Sequence, residues 1–134
     1  MRQIITAVLL IFLGIVLVLA LCFTDYKMLA VGSNSMNDYL AKGDIIIAYK
    51  DDFSNLEVGD VIVFKHENID VIHRIVEIKN EDEIVLSTKG DNNEVADGWN
   101  IKEDDYIGKV IFKVKYLGYP TVWINELIKG DKDG

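Results

Sequence analysis

The chain has 134 residues, which supports one domain with a modest core. Its net charge of −8 argues against a nucleic-acid-binding surface, which requires clustered Lys and Arg. A single cysteine, Cys22, excludes an internal disulfide framework.

The hydrophobic fraction of 50% is high for a soluble domain, and it is unevenly spread. The excess lies in residues 4–23, IITAVLLIFLGIVLVLALCF. This run has no charge and is about 20 residues long, the length a helix needs to cross a bilayer. Arg2 precedes it and Asp25 follows, so the positive-inside tendency puts the N-terminus in the cytoplasm and the rest outside. The run ends in Leu21-Cys22-Phe23, without the small residues of a cleavable signal peptide, and Leu21 spoils a lipoprotein box at Cys22. Residues 1–25 are therefore read as a cytoplasmic stub and uncleaved single-pass anchor in the cell membrane. Residues 26–134 are read as an extracytoplasmic β domain.

Past the anchor the pattern becomes that of strands separated by turns. Residues 27–31 predict a first strand. Residues 44–49, a near-continuous apolar run, predict one buried on both faces. Gly59-Asp60 opens a strand over 61–65 and echoes Gly43-Asp44 before the preceding one. Residues 66–70 read as a hairpin turn, with His66 a solvated turn residue. Strands follow over 71–79 and 84–88, then a Gly/Asn/Asp-rich loop over 90–99. A last strand over 106–116 offers Ile107, Val110, Phe112 and Val114 to the core. Residues 122–128 carry apolar residues at helical spacing, as a short amphipathic helix on the domain or on the membrane surface. Short strands with such turns predict a mainly β fold, a small antiparallel barrel or sandwich behind one transmembrane helix.

Within this frame the stretch GSNSMNDYLAKGDIIIAYK, residues 32–50, places Ser33 and Ser35 at a turn before a strand. Serine is a weak nucleophile unless a base activates it and a further group orients the base. Downstream, His73 and the acids Asp91 and Asp97 supply those residue types. There is no cluster with metal-ligand spacing.

The boxes SNSM, GDIII, GDVIVF, IHRIVEI and TKGDNN, in this order behind an apolar anchor, resemble a type I signal peptidase. They are most similar to the branch found in the endoplasmic reticulum, archaea and some spore-formers. There His73-Arg74 stands where the usual bacterial enzymes have Lys-Arg. The resemblance implies that Ser35, directly before Met36, is the nucleophile and that His73 is the general base. It implies that Ser33 helps hold the oxyanion with the Ser35 N–H. Asp91 and Asp97 match the family's two acidic positions, and Asp97 is favoured as the direct partner of His73. Met36 and Asn34 are the expected substrate-binding positions. Asn34 replaces a more usual glycine, and Asn37-Asp38 replaces a proline-containing pair.

The function so implied is serine endopeptidase removal of N-terminal signal peptides from secreted preproteins, after small residues. It would use no metal or other cofactor. The expected partners are preprotein signal peptides, membrane lipid and accessory subunits of the secretion machinery, and no nucleic acid. Two alternatives remain. One is a non-catalytic membrane-anchored β module. The other is a self-cleaving regulator of the related repressor fold, which would need a lysine base and no span.

Overall fold

The computed structural model describes residues 1–23, 25–115 and 119–130. It opens with helix α1, Arg2–Phe23, whose described side chains are exposed along its length. A helix satisfies its own backbone hydrogen bonds, so an apolar one is stable in hydrocarbon. By length and composition α1 can cross a membrane.

Six antiparallel strands follow. They are β1 (Tyr26–Ala30), β2 (Ile45–Tyr49), β3 (Val61–His66), β4 (Ile69–Asn80), β5 (Ile84–Lys89) and β6 (Tyr106–Val114). Their order in the sheet is β1-β2-β6-β3-β4-β5. The domain is mainly β and antiparallel, as the short strands and intervening turns imply, but the sheet does not close into a barrel: β1 and β5 remain its edges. Helix α2, Tyr119–Gly130, contains the predicted amphipathic segment and starts with Pro120 in its first turn, where a missing N–H costs nothing. Trp123 and Leu127 on α2 are exposed, and Glu126 ion-pairs with Lys42.

Two apolar clusters hold the sheet. Val31, Met36, Leu40, Ile46, Ala48, Val61, Val63 and Val110 form one, and Phe53, Leu56, Ile62, Phe64, Ile75, Leu86, Ile101 and Tyr106 the other. Val61 to Phe64 on β3 are all buried and feed both clusters alternately, because successive side chains on a strand point to opposite faces. β3 is thus the strand covered on both sides. β2, which the apolar run suggests for that role, buries only Ile46 and Ala48, leaving Ile45, Ile47 and Tyr49 half-buried.

On β6 the expected core position Phe112 lies on the outside, 58% exposed. Its register against β2 jumps from Ile47↔Phe112 to Ala48↔Val110, so Ile111 is an inserted residue that reverses the inward-outward alternation. Val114 is half-buried for the same reason, while Val110 and Tyr106 reach the core. Residue 116, the predicted end of this strand, lies outside the described residues. The turn after β3 comprises only Glu67 and Asn68, and Glu67 adopts φ 54°. His66 is therefore still a strand residue. It stacks on Trp99, ring centroids 3.9 Å apart, and is not a solvated turn residue.

The Gly43-Asp44 and Gly59-Asp60 echo is a repeated piece of structure. In each, the aspartate carboxylate accepts the N–H three residues earlier, Ala41 at 3.0 Å and Glu57 at 3.0 Å. In each, the glycine has a positive φ, 93° and 100°, which glycine adopts without steric cost. In each, the pair exchanges two backbone hydrogen bonds with one residue elsewhere: Gly43 and Asp44 with Val31, Gly59 and Asp60 with Ile75. Val31 precedes the two serines, and Ile75 follows His73-Arg74. The twin turns therefore fasten both chain segments that carry the candidate catalytic groups.

Candidate active site

Between β1 and Leu40 the chain makes a series of tight turns. Asn37 N–H donates to Asn34 O at 3.0 Å, and Tyr39 and Leu40 N–H both donate to Met36 O. Asp38 takes φ 81°, a left-handed conformation that proline could not adopt, so Asn37-Asp38 builds this turn differently from a proline-containing pair. Met36 is 1% exposed and anchors the turn in the core, leaving Ser33 exposed and Ser35 half-buried beside it. Ser33 Oγ lies 3.2 Å from Ser35 Oγ and accepts a long hydrogen bond, 3.5 Å, from Ser35 N–H. Asn34 turns elsewhere: its Oδ1 accepts the Lys42 N–H at 3.2 Å.

His73 and Arg74 are adjacent on β4, and so point to opposite faces. His73 is 6% exposed. Its Nδ1 lies 2.6 Å from Asp97 Oδ2. An ionised carboxylate can only accept, so Nδ1–H donates and Nε2 keeps the lone pair a base requires. Thr88 Oγ1 donates to the same Asp97 oxygen at 2.7 Å. Arg74 takes the other acid. Its Nε and Nη2 donate to the two Asp91 oxygens at 2.8 and 2.7 Å, and its Nη1 donates to Gly59 O at 2.8 Å. The hydrogen bonds from Arg74 hold the Asp91 carboxyl below its ordinary range despite partial burial, and Asp91 raises Arg74 in turn.

One loop brings these groups together. Leaving β5, the turn from Gly90 to Asn93 grips the serine segment. Asn92 N–H donates to Ser35 O at 2.8 Å, and Asp91 N–H to the Met36 sulfur at 3.3 Å. A Cβ on Gly90 would lie 2.7 Å from Ser35 O, so only glycine permits this approach. The same loop then delivers Asp97 to His73. It is this chain reversal that lets acids distant from Ser35 in sequence share its surroundings.

Ser33, Ser35, Met36 and His73 line one groove of ≈ 570 Å³, together with Leu29 to Gly32, Ile69 to Ile72, Asn93 and Trp99. Its walls are the end of β1 and the start of β4, and most of its lining is apolar. Asn34, Asp91 and Asp97 do not line it. Asp97 reaches the groove through His73, and Asp91 faces Arg74. No hydrogen bond joins Ser35 to His73 among the described residues. Asn93 lies inside the TKGDNN box but was not singled out, and Trp99 escaped the sequence reading because a loop tryptophan carries no spacing signal. Thr88 lies inside the TKGDNN box, but its bond to Asp97 follows from folding alone. A further concavity of ≈ 480 Å³, around Asp51, Asp52 and Glu103, shares no residue with this groove.

Over most of its length the chain is similar to known proteins of one family. The family model described as signal peptidase, peptidase S26, matches residues 4–111. The signal peptidase complex catalytic subunit SEC11 of Scheffersomyces stipitis is 36% identical, over 70% of this chain and 63% of that protein. SEC11 of Debaryomyces hansenii is 32% identical, over 87% of this chain and 83% of the relative. The human subunit SEC11C is 28% identical over 95% and 70% respectively. The serine segment, β4 and most of β6 all fall within the matched region, and the chain belongs to the signal peptidase family, peptidase S26, a family of serine endopeptidases.

Proposed function

We propose that this chain is a membrane-anchored peptidase that removes signal peptides from secreted preproteins, with Ser35 as nucleophile, His73 as general base and Asp97 as the group orienting that base. The observation that carries the reading is the 2.6 Å His73–Asp97 contact at the wall of the groove that Ser35 lines. With Nδ1–H committed to Asp97, Nε2 takes the Ser35 proton as Oγ attacks the scissile carbonyl, and the imidazolium then protonates the leaving amine. The acyl-enzyme is hydrolysed by water activated at the same nitrogen. Ser35 N–H and the Ser33 hydroxyl stabilise the oxyanion, each donor contributing on the order of 3 kcal/mol once substrate excludes water. In the unliganded site the Ser35 hydroxyl rests on Ser33, and substrate turns it towards His73. Catalytic hydrogen bonds commonly tighten only in the complex.

Substrate binds as an extended segment along the groove, its main chain pairing with strand edges and its small side chains seated over Met36. The short connection from α1 to β1 holds the domain at the membrane surface. The N-terminus is cytoplasmic and the groove lies at the outer membrane–water interface, where the end of a signal peptide emerges. The relatives are named as subunits of a signal peptidase complex, which favours accessory subunits here too.

The test is cleavage of a model preprotein by the detergent-solubilised full chain. Cleavage after a small residue is expected, with Ser35→Ala and His73→Ala each lowering kcat on the order of 10⁶-fold. A folded wild-type protein that leaves a panel of preproteins intact, or an active Ser35→Ala variant, would overturn the reading.

A further inference from the structure

Asp97 sits near the end of a loop with little regular structure, yet its position relative to His73 must be kept within a fraction of an ångström. Other contacts fasten the loop at Asp91, Asn92 and Trp99, but none of them touches Asp97 itself. Of the residues around Asp97, Thr88 is the rigid one. It lies on β5, paired with Ile75 on β4, and is 0% exposed. It holds Asp97 twice: the Thr88 carbonyl accepts the Asp97 N–H at 2.8 Å, and the Thr88 hydroxyl donates to Oδ2 at 2.7 Å. The second bond falls on the very oxygen that receives His73 Nδ1–H.

Building on the assignment of His73 and Asp97 above, we infer that Thr88 is a positioning residue of the reaction. It fixes the aspartate's rotamer and selects which carboxylate oxygen faces the imidazole. The geometry leaves little room for another role. A buried hydroxyl needs a partner, and a threonine on a strand could bond to backbone as readily as to a side chain. Here its donor goes to a side chain that is itself only 6% exposed and hydrogen bonded to the base. Two donors on one oxygen restrict rotation of the carboxylate about its Cβ–Cγ bond. Remove one and the carboxylate can rotate, so that His73 loses its fixed tautomer for part of the time. Thr88 touches neither the substrate groove nor Ser35 among the described contacts, so its influence runs through Asp97.

The experiment compares Thr88→Val and Thr88→Ser with the wild type in the full-length, detergent-solubilised chain. Val keeps the shape and removes the donor; Ser keeps the donor and removes the methyl group. Thr88→Val is expected to lower kcat about tenfold with KM nearly unchanged, and Thr88→Ser to recover most of that loss. The proton shared by His73 and Asp97 should give a far-downfield ¹H signal, assigned by its absence in His73→Ala. That signal should shift or broaden in Thr88→Val and persist in Thr88→Ser. Should Thr88→Val fail to fold, Thr88→Cys takes its place, since a thiol is a weak donor of similar bulk. Equal losses in the Ser and Val variants, or an unchanged kcat and signal in the donor-free variant, would overturn the inference. The ¹H signal is read without substrate. A wild type inert on every preprotein would therefore defeat the peptidase reading and still leave the Thr88 contact to be judged.

Discussion

His73 and Arg74 are neighbours on β4, and each takes an aspartate from the same loop, yet the two pairs differ in every property that matters for function. His73–Asp97 is sealed, with side chains 8% and 6% exposed, and Nε2 has no hydrogen-bond partner among the described residues. Arg74–Asp91 is partly open, at 30% and 24%, and uses both carboxylate oxygens and every guanidinium nitrogen. A guanidinium does not lose its proton in the working range, so the second pair is a clamp. It ties the loop to β4 and, through Gly59, to the second of the twin turns. The first pair can exchange a proton, and burial gives its hydrogen bond more weight than it would have in water. Under the proposed mechanism, adjacent positions on one strand divide the work: one face of β4 presents the base, and the other holds the loop that carries both aspartates.

Breaking the first pair should have the larger effect. Asp97→Asn keeps the shape but presents an amide that can stabilise the wrong imidazole tautomer. Preprotein cleavage is expected to fall on the order of 10³–10⁴-fold, with little change in thermal stability. A loss under tenfold would show that His73 does not depend on this carboxylate.

Gly90→Ala probes the link between the pairs. Its Cβ would press on the Ser35 carbonyl, and displacing that backbone by a few tenths of an ångström should cost roughly 10- to 100-fold in kcat. The His73–Asp97 proton signal should be preserved, because this change acts on the nucleophile's side of the loop.

Breaking the second pair should be read first in stability. Asp91→Asn removes a charge-assisted bidentate contact that is partly screened by solvent. It is expected to cost about 1 kcal/mol, or roughly 4–8 °C in melting temperature for a domain of this size. The effect on kcat should be well below that of Asp97→Asn, and the reverse ranking would exchange the roles assigned to the two acids.

The smallest effect sharpens the same contrast through pH. Arg74 lowers the Asp91 carboxyl in the folded state, so its contribution is complete above the ordinary carboxylate range and is lost as pH falls through the lowered folded value. Melting curves of wild type and Asp91→Asn should be well separated at pH 6 and converge as the pH falls below about 4. A constant separation across that window would mean that the clamp is not electrostatic.

Much of the molecule is written locally. The charge-free run of α1 defines a helix that can cross a membrane, because length and hydropathy alone decide that question. The two Gly-Asp turns are local as well: an aspartate reaching back three residues and a glycine at positive φ suffice to build each one. Alternation along β4 is legible for the same reason, since period two needs no partner to be recognised. The residue types of the site were also readable, through the serine box, the His-Arg pair and the TKGDNN box.

The tertiary structure decided what depends on pairing between distant strands. Phe112 faces outward because an inserted residue at Ile111 reverses the alternation of β6 against β2, and nothing in β6 itself announces a bulge. β3, rather than the more apolar β2, became the strand buried on both faces because it sits between β6 and β4, well inside the sheet. The division of the two aspartates followed from where one loop meets β4 at His73 and Arg74. Both acids lie in a stretch rich in polar residues, and spacing cannot tell which will meet an imidazole and which a guanidinium. Thr88 belongs to the same class: its hydroxyl finds Asp97 only because β5 and the returning loop meet there. Sequence determined which chemical groups the chain possesses, and long-range packing determined which of them touch.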